Sequence, residues 1–143
     1  MPILNYTTKI DSYKTITEIQ KALSRAGATK IVVDNDVFRN PVSLTFCILW
    51  NDQMVAFCLP CKYDRILGAM KRDRKVSRKL CTEAQSLRVS WRIIKTWTEA
   101  QLALVEADLV TIQEVFLPYA LTNQGTTLYK HIESNNSLLL SNG

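Results

Sequence analysis

Two apolar runs in the middle of the chain carry the clearest fold signal: Val42-Ser-Leu-Thr-Phe-Cys-Ile-Leu-Trp50 and, after Asn51-Asp52, Met54-Val-Ala-Phe-Cys-Leu59. The first run alternates apolar and polar residues and then becomes wholly apolar, which is typical of a strand with a buried face. Asn and Asp favour tight turns, and the second run has the length of a return strand. We therefore expect an antiparallel hairpin.

Three further elements are predicted upstream of the hairpin. Residues 3–10 alternate weakly and carry Tyr and Thr, which indicates a short first strand. A helix follows, and its start is open between a cap at Asp11 or Ser12 and a capping box formed by Thr15 and Glu18. Gly27 should end this helix, because glycine readily adopts the left-handed conformation found after helix C-termini. Residues 30–33 form a short β-branched strand.

The pattern changes to helical spacing downstream of the hairpin. Residues 63–72 favour a helix, and Thr82 with Gln85 has capping-box spacing ahead of a long helix that runs to about residue 108. Apolar residues recur along the long helix at steps of three and four, namely Leu87, Trp91, Ile94, Trp97, Leu104 and Val105. A short helix should follow Thr111 and be shortened or bent at Pro118. Residues 126–132 favour a last helix.

The predicted class is α+β, with a small antiparallel sheet in the order β-α-β-β-β followed by a helical C-terminal half. We expect a single domain over residues 1–133 and a flexible tail over residues 134–143. The 143 residues fit one domain, and an apolar fraction of 47% with a charged fraction of 22% excludes disorder throughout. No long apolar run or signal-peptide pattern is present, so we expect a cytoplasmic protein without membrane contact.

Enzyme chemistry has little support in the sequence. Four glycines allow no glycine-rich phosphate loop, and a single histidine offers no triad pattern. Asp34 and Asp36 lie two residues apart at a strand end, where they suit either a metal or, more simply, a turn. We therefore expect no catalytic site, cofactor or metal.

Positive charge is concentrated in one segment. Residues 71–95 carry nine cations and two acids, a net charge of +7, whereas the whole chain has a net charge of +5. Six of the cations lie in residues 71–79, here called the basic loop, and three lie on the polar face of the long helix. The nine candidate residues are Lys71, Arg72, Arg74, Lys75, Arg78, Lys79, Arg88, Arg92 and Lys95.

Such a segment predicts either a solvated loop beside a polar helix face or a surface for DNA, RNA or another polyanion. Trp91 and Trp97 fall on the apolar helix face and should be core residues. Trp50 and Tyr63 are the better candidates for an exposed stacking platform. The strand and helix order before the basic segment resembles that of double-stranded RNA-binding domains, which contact phosphates and groove shape. An extra first strand and a long helical tail depart from that order.

The four cysteines are expected to be reduced thiols. Cys58-Leu-Pro-Cys61 follows a strand and precedes a helix, an arrangement similar to the redox motif of thioredoxin-like proteins, although the preceding hairpin is antiparallel. Cys81 and His131 could add to the pair as zinc ligands, but their spacings match no usual zinc module. Two unreactive thiols at a strand end are the simpler interpretation.

Three phrases resemble a group of short uncharacterised proteins of bacteria and their phages: Leu4-Asn-Tyr-Thr-Thr8, Trp91-Arg-Ile-Ile-Lys-Thr-Trp-Thr-Glu-Ala-Gln-Leu-Ala-Leu-Val-Glu106 and Glu114-Val-Phe-Leu-Pro-Tyr-Ala120. The resemblance implies a phage or mobile-element setting and no particular activity. We expect a non-enzymatic binding protein. The alternative is a protein-interaction module, an accessory inhibitor or a homo-oligomer that acts through the helical half, where residues 116–119 are apolar.

Overall fold

A computed structural model describes residues 3–135 and residue 139. It confirms the α+β class. The helices and strands follow the order α1 (Ser12–Arg25), β1 (Lys30–Asn35), β2 (Pro41–Trp50), β3 (Gln53–Pro60), α2 (Tyr63–Arg72), α3 (Glu83–Glu106), α4 (Ile112–Phe116) and α5 (Leu128–Ser134). Single 3₁₀ turns occupy Arg78–Leu80 and Leu117–Tyr119. No helix within the described residues is long and apolar enough to cross a membrane.

The first strand predicted over residues 3–10 is wrong, so the order is α-β-β-β rather than β-α-β-β-β. Asn5 adopts a φ of +62° and starts a turn in which Thr8 N donates to the Asn5 carbonyl over 3.0 Å. The carbonyls of Tyr6 and Thr8 accept from the side-chain amide of Gln85 at 3.0 and 2.9 Å. The backbone carbonyls of this segment therefore bond to a helix side chain, and among the described residues the segment pairs with no strand.

Local signals set both ends of α1. Asp11 is the N-cap, and its carboxylate accepts from Tyr13 N at 3.0 Å, which resolves the start in favour of Asp11. Gly27 has a φ of +110° directly after the C-cap, as predicted. An alanine there would have to adopt the same left-handed backbone, which L-residues disfavour.

The sheet is an antiparallel meander in which β2 pairs with both β1 and β3. Asn51 and Asp52 have φ values of +51° and +63°, and two consecutive left-handed residues match the twist of a two-residue hairpin. One face is buried, and its largest side chains are Leu44, Phe46, Ile48, Phe57 and Leu59. The alternation persists to the end of β2, where Leu49 is exposed on the other face.

Helices α1 and α3 pack on the buried face of the sheet. Trp91 is fully buried, and its indole nitrogen donates to the Pro41 carbonyl at 3.2 Å, which ties α3 to the start of β2. Phe116 packs edge-on against both Phe46 and Trp97. Within the predicted apolar face of α3, Val105 packs against the main core, whereas the prediction for Leu104 is wrong because this residue is exposed.

The C-terminal elements begin and end near the predicted residues. Thr111 and Glu114 form a capping box, and α4 ends before Pro118, as the sequence predicts. Helix α5 runs to Ser134, one residue past the expected domain end. The predicted tail lies outside the described residues, apart from Ser134, Asn135 and Leu139.

A second, smaller apolar cluster supports the connection between α2 and α3. Its buried members are Met70, Val76 and Val89, and Ile3 and Tyr6 pack against it from the N-terminal segment. The connection carries the basic loop, so this cluster determines where the loop lies.

Candidate nucleic-acid interface

The basic loop is folded by its own side chains. The Asp73 carboxylate accepts from Lys75 N at 2.9 Å, and Val76 N donates to the Asp73 carbonyl at 3.2 Å. This turn directs Val76 into the second cluster, where the residue is 6% exposed. Ser77 then caps the 3₁₀ turn by accepting from Lys79 N at 3.2 Å. A buried anchor and two side-chain caps therefore hold the loop to the body of the protein.

Six cations project from this anchored loop. All six are exposed, namely Lys71, Arg72, Arg74, Lys75, Arg78 and Lys79. None forms an ion pair with a carboxylate in the part of the chain that the structure describes. Lys71 and Arg78 also line a cavity of about 390 Å³ with Val76 and Cys81, so the end of α2 and the 3₁₀ turn face one recess. Two of the six cations therefore face the same recess, and six like charges within nine residues attract counterions or a polyanion.

The three cations of α3 each have a side-chain partner. Arg92 lies 3.1 Å and Lys95 lies 3.4 Å from the Glu18 carboxylate of α1, and Lys95 also pairs with Glu99. Arg88 donates to the Gln85 side-chain carbonyl at 2.6 and 3.0 Å. The side chains of Arg92 and Lys95 are only 19% and 17% exposed. We expected Arg92 and Lys95 to lie on an exposed face of the helix. This expectation is wrong, because α1 packs on α3 and covers that face.

The pairing changes the acidity of Glu18. Burial alone would raise the pKa of this carboxyl, but hydrogen bonds and charge from Lys95 and Arg92 outweigh burial and lower it. Glu18 therefore stays ionised at neutral pH, and together with Glu99 it compensates both cations. Arg92 and Lys95 act in the α1–α3 interface, and their charge is not free for a ligand.

The aromatic residues that we considered for base stacking lie partly in other environments than predicted. Trp91 and Trp97 are core residues, as expected. Trp50 and Tyr63 are half-buried against the main core, so the expected exposed platform is wrong. The most exposed aromatic of the described residues is Phe38, at 76% exposure in the β1–β2 loop, and sequence reasoning missed it. The sequence feature from which this exposed aromatic could have been predicted is a pair of consecutive apolar residues within a polar turn.

The β1–β2 loop is held rigidly to α2. One Asp36 carboxylate oxygen accepts from Phe38 N and Asn40 N at 2.9 and 3.0 Å, and the other accepts from the Tyr63 hydroxyl at 2.8 Å. These hydrogen bonds, led by that from Asn40, lower the pKa of Asp36. Asp36 therefore belongs to a turn, as the simpler interpretation expected, whereas Asp34 is still part of β1 and pairs with Ser43. Tyr63 begins α2 and the basic loop starts in the last turn of that helix, so roughly 12 Å of helix separates the Tyr63–Asp36 contact from the loop.

Cys61, the second thiol of the Cys58–Cys61 pair, is buried. Burial raises the pKa of Cys61 to about 12, so the group is a neutral thiol at pH 7. Cys61 N donates to the Val42 carbonyl at 2.8 Å, which continues the sheet. Cys58 and Cys61 are both free thiols. Among the residues described, no group of three or more His, Cys, Asp or Glu side chains has an arrangement that could hold a metal ion.

Comparisons with models of protein families, with curated proteins and with solved structures find no match to this chain.

Proposed function

We propose that this protein is a non-enzymatic binding protein that uses the basic loop to bind nucleic acid. The supporting observation is that six cations are exposed on an anchored loop and that none of them pairs with a carboxylate among the described residues. Like charges this close repel one another, and phosphates relieve the repulsion while releasing their own condensed counterions. The anchor at Val76 adds to this, because a held loop loses less conformational entropy on binding than a free one.

The binding surface in this proposal is smaller than the sequence suggested. Arg92 and Lys95 are compensated by Glu18 and Glu99, which leaves the six loop cations and Arg88, whose partner Gln85 is neutral. We take the six loop cations as the interface because they are exposed. Phosphate contacts of this kind carry no base information, so we expect binding with little sequence preference. The absence of a first strand also removes one departure from the element order of double-stranded RNA-binding domains. Duplex RNA is therefore the first ligand to test.

The test is a salt titration of binding, read as fluorescence anisotropy of labelled duplex RNA, duplex DNA and single strands. If all six cations contact phosphate, the logarithm of the association constant should fall with that of salt with a slope of about −5 for duplex DNA. Arg74→Gln with Lys75→Gln should make the slope less steep by about 2. Absence of binding at low salt would refute the proposal.

A matched control is available on α1. Lys21 and Arg25 are exposed and line a groove beside the C-terminal half of α3, far along that helix from the loop. Lys21→Gln with Arg25→Gln removes the same two residue types and the same charge. We expect this variant to keep the salt slope of the unmodified protein. Equal slopes for the loop variant and the control variant would show that net charge, and not the loop, is responsible.

The protein-interaction alternative has less support. Within residues 116–119, Phe116 is fully buried and Tyr119 packs edge-on against Trp97, so only Leu117 and Pro118 are exposed. The apolar segment that motivated this hypothesis is therefore largely part of the core.

A further inference from the structure

A second candidate site lies on a different part of the molecule. The chain after α4 is held against the edge of β3, because Leu121 N donates to the Ala56 carbonyl at 2.8 Å. Leu128 N donates to the Ala120 carbonyl at 2.7 Å and fixes the start of α5 nearby. These contacts leave a groove of about 700 Å³ between this segment, α2 and α3. None of the residues that line it belongs to the basic loop.

The groove has an apolar interior. Ile66 of α2, Ile93 and Ile94 of α3, and Leu121 line it. Ser90 also lines the groove, but its hydroxyl already donates to the Ser86 carbonyl at 2.7 Å. The volume lies within the range of about 300–1,000 Å³ that is usual for small-molecule pockets. The interior therefore suits an apolar body.

Positive charge surrounds this interior. Lys62 and Arg65, at the start of α2, and Lys130 of α5 line the groove, and none of its described lining residues is acidic. None of the three cations forms an ion pair within the described part of the chain. The nearest acid on α5 is engaged, since the Tyr129 hydroxyl donates to Glu133 at 3.0 Å. An anionic group in the groove would therefore meet three lining cations, and Asp64, which lies between Lys62 and Arg65 in the sequence, is not part of the described lining.

We propose that this groove binds a small amphipathic anion, an apolar body that ends in a carboxylate or a phosphate. The apolar body would pack on the isoleucines, and the anionic end would lie among Lys62, Arg65 and Lys130. A neutral apolar ligand would leave these cations without a counter-charge, and a cationic ligand would be repelled. Selectivity for the sign of charge is therefore the property that distinguishes this site from any hydrophobic groove.

The experiment is an NMR titration of isoleucine methyl groups with four eight-carbon probes: octanoate, octyl phosphate, octanol and octylammonium. We expect octanoate or octyl phosphate, or both, to shift the methyl signals of Ile66, Ile93 and Ile94. The signals of Ile16 and Ile19 in the main core should stay unchanged. A response to only one of the two anions would identify the head group. Equal responses to octanol and to the anions, or no response at millimolar concentration, would overturn the proposal.

Charge variants test the same point. Lys62→Ala, Arg65→Ala and Lys130→Ala together should weaken binding of the anions by about tenfold or more, at about two- to fivefold for each cation. Binding of octanol should not change. Lys14→Ala, on the exposed side of α1, is the control and should have no effect. If the triple variant does not fold, Arg65→Ala alone gives the same comparison, and an unchanged anion affinity in that variant would overturn the proposal.

Discussion

Gln85 joins the N-terminal segment to α3, and replacing it should destabilise the protein measurably. Its side-chain amide donates to the Tyr6 and Thr8 carbonyls at 3.0 and 2.9 Å, and its side-chain carbonyl accepts from Arg88. Two neutral hydrogen bonds contribute about 1 kcal/mol each, and the bond from a charged guanidinium about 1.5 kcal/mol or more. Because water can replace some of these hydrogen bonds in the variant, Gln85→Ala should lower the free energy of unfolding by about 2–3 kcal/mol.

Urea unfolding measures this loss. With a slope of about 2 kcal/mol per molar urea, the midpoint should fall by about 1 M or slightly more without a change in slope. Gln85→Glu keeps the side-chain shape but cannot donate, so it should lose the two bonds to the N-terminal segment as well. Gln101→Ala on the same helix is the control, because its side chain forms no hydrogen bond with any residue that the structure describes, and its midpoint should be nearly unchanged. If Gln85→Ala and Gln101→Ala unfold at the same urea concentration, the assigned role of Gln85 is wrong.

Three further outcomes follow from individual side chains. The pKa of Glu18 is lower in the folded than in the unfolded protein, so its ion pairs stabilise the fold above the unfolded pKa, and this stabilisation is lost as pH falls through the folded pKa. Between about pH 6 and about pH 3, the melting temperature of Glu18→Gln should therefore fall less than that of the unmodified protein. Val76→Ala should cost about 1.5 kcal/mol and weaken nucleic-acid binding without changing its salt slope, because the anchor is weakened and the cations remain. A thiol reagent at about pH 8 should leave Cys61 unlabelled in the folded protein, given its raised pKa, and label it on unfolding, as mass spectrometry would show.

Elements with strong local signals could be predicted closely from the sequence. The helix α2 has the predicted ends, and α3 begins after Thr82, whose hydroxyl accepts from Gln85 N at 3.1 Å. The hairpin turn at Asn51-Asp52 also lies at the predicted place. In each case the signal and the structure it specifies lie within a few residues, so no distant contact is needed to interpret it.

The candidate site was predicted in part. The exposed basic loop follows from its composition, because six cations in nine residues have few ways to be buried. Phe38 and the groove with Lys62, Arg65 and Lys130 were missed, because the groove residues come from separate elements and only the fold brings them together. A single sequence offers no spacing rule for such a set.

The class of fold, the hairpin, the long helix and the position of the basic loop are properties of the sequence, since periodicity, capping and local charge are all short-range. The conformation of residues 3–10 and the state of Arg92 are not. Gln85 lies 77 residues from Thr8 along the chain, and Arg92 lies 74 residues from Glu18. Packing α1 and the N-terminal segment on α3 places these groups in contact. It thereby converts an apparent strand into a turn and an apparently free cation into half of an ion pair.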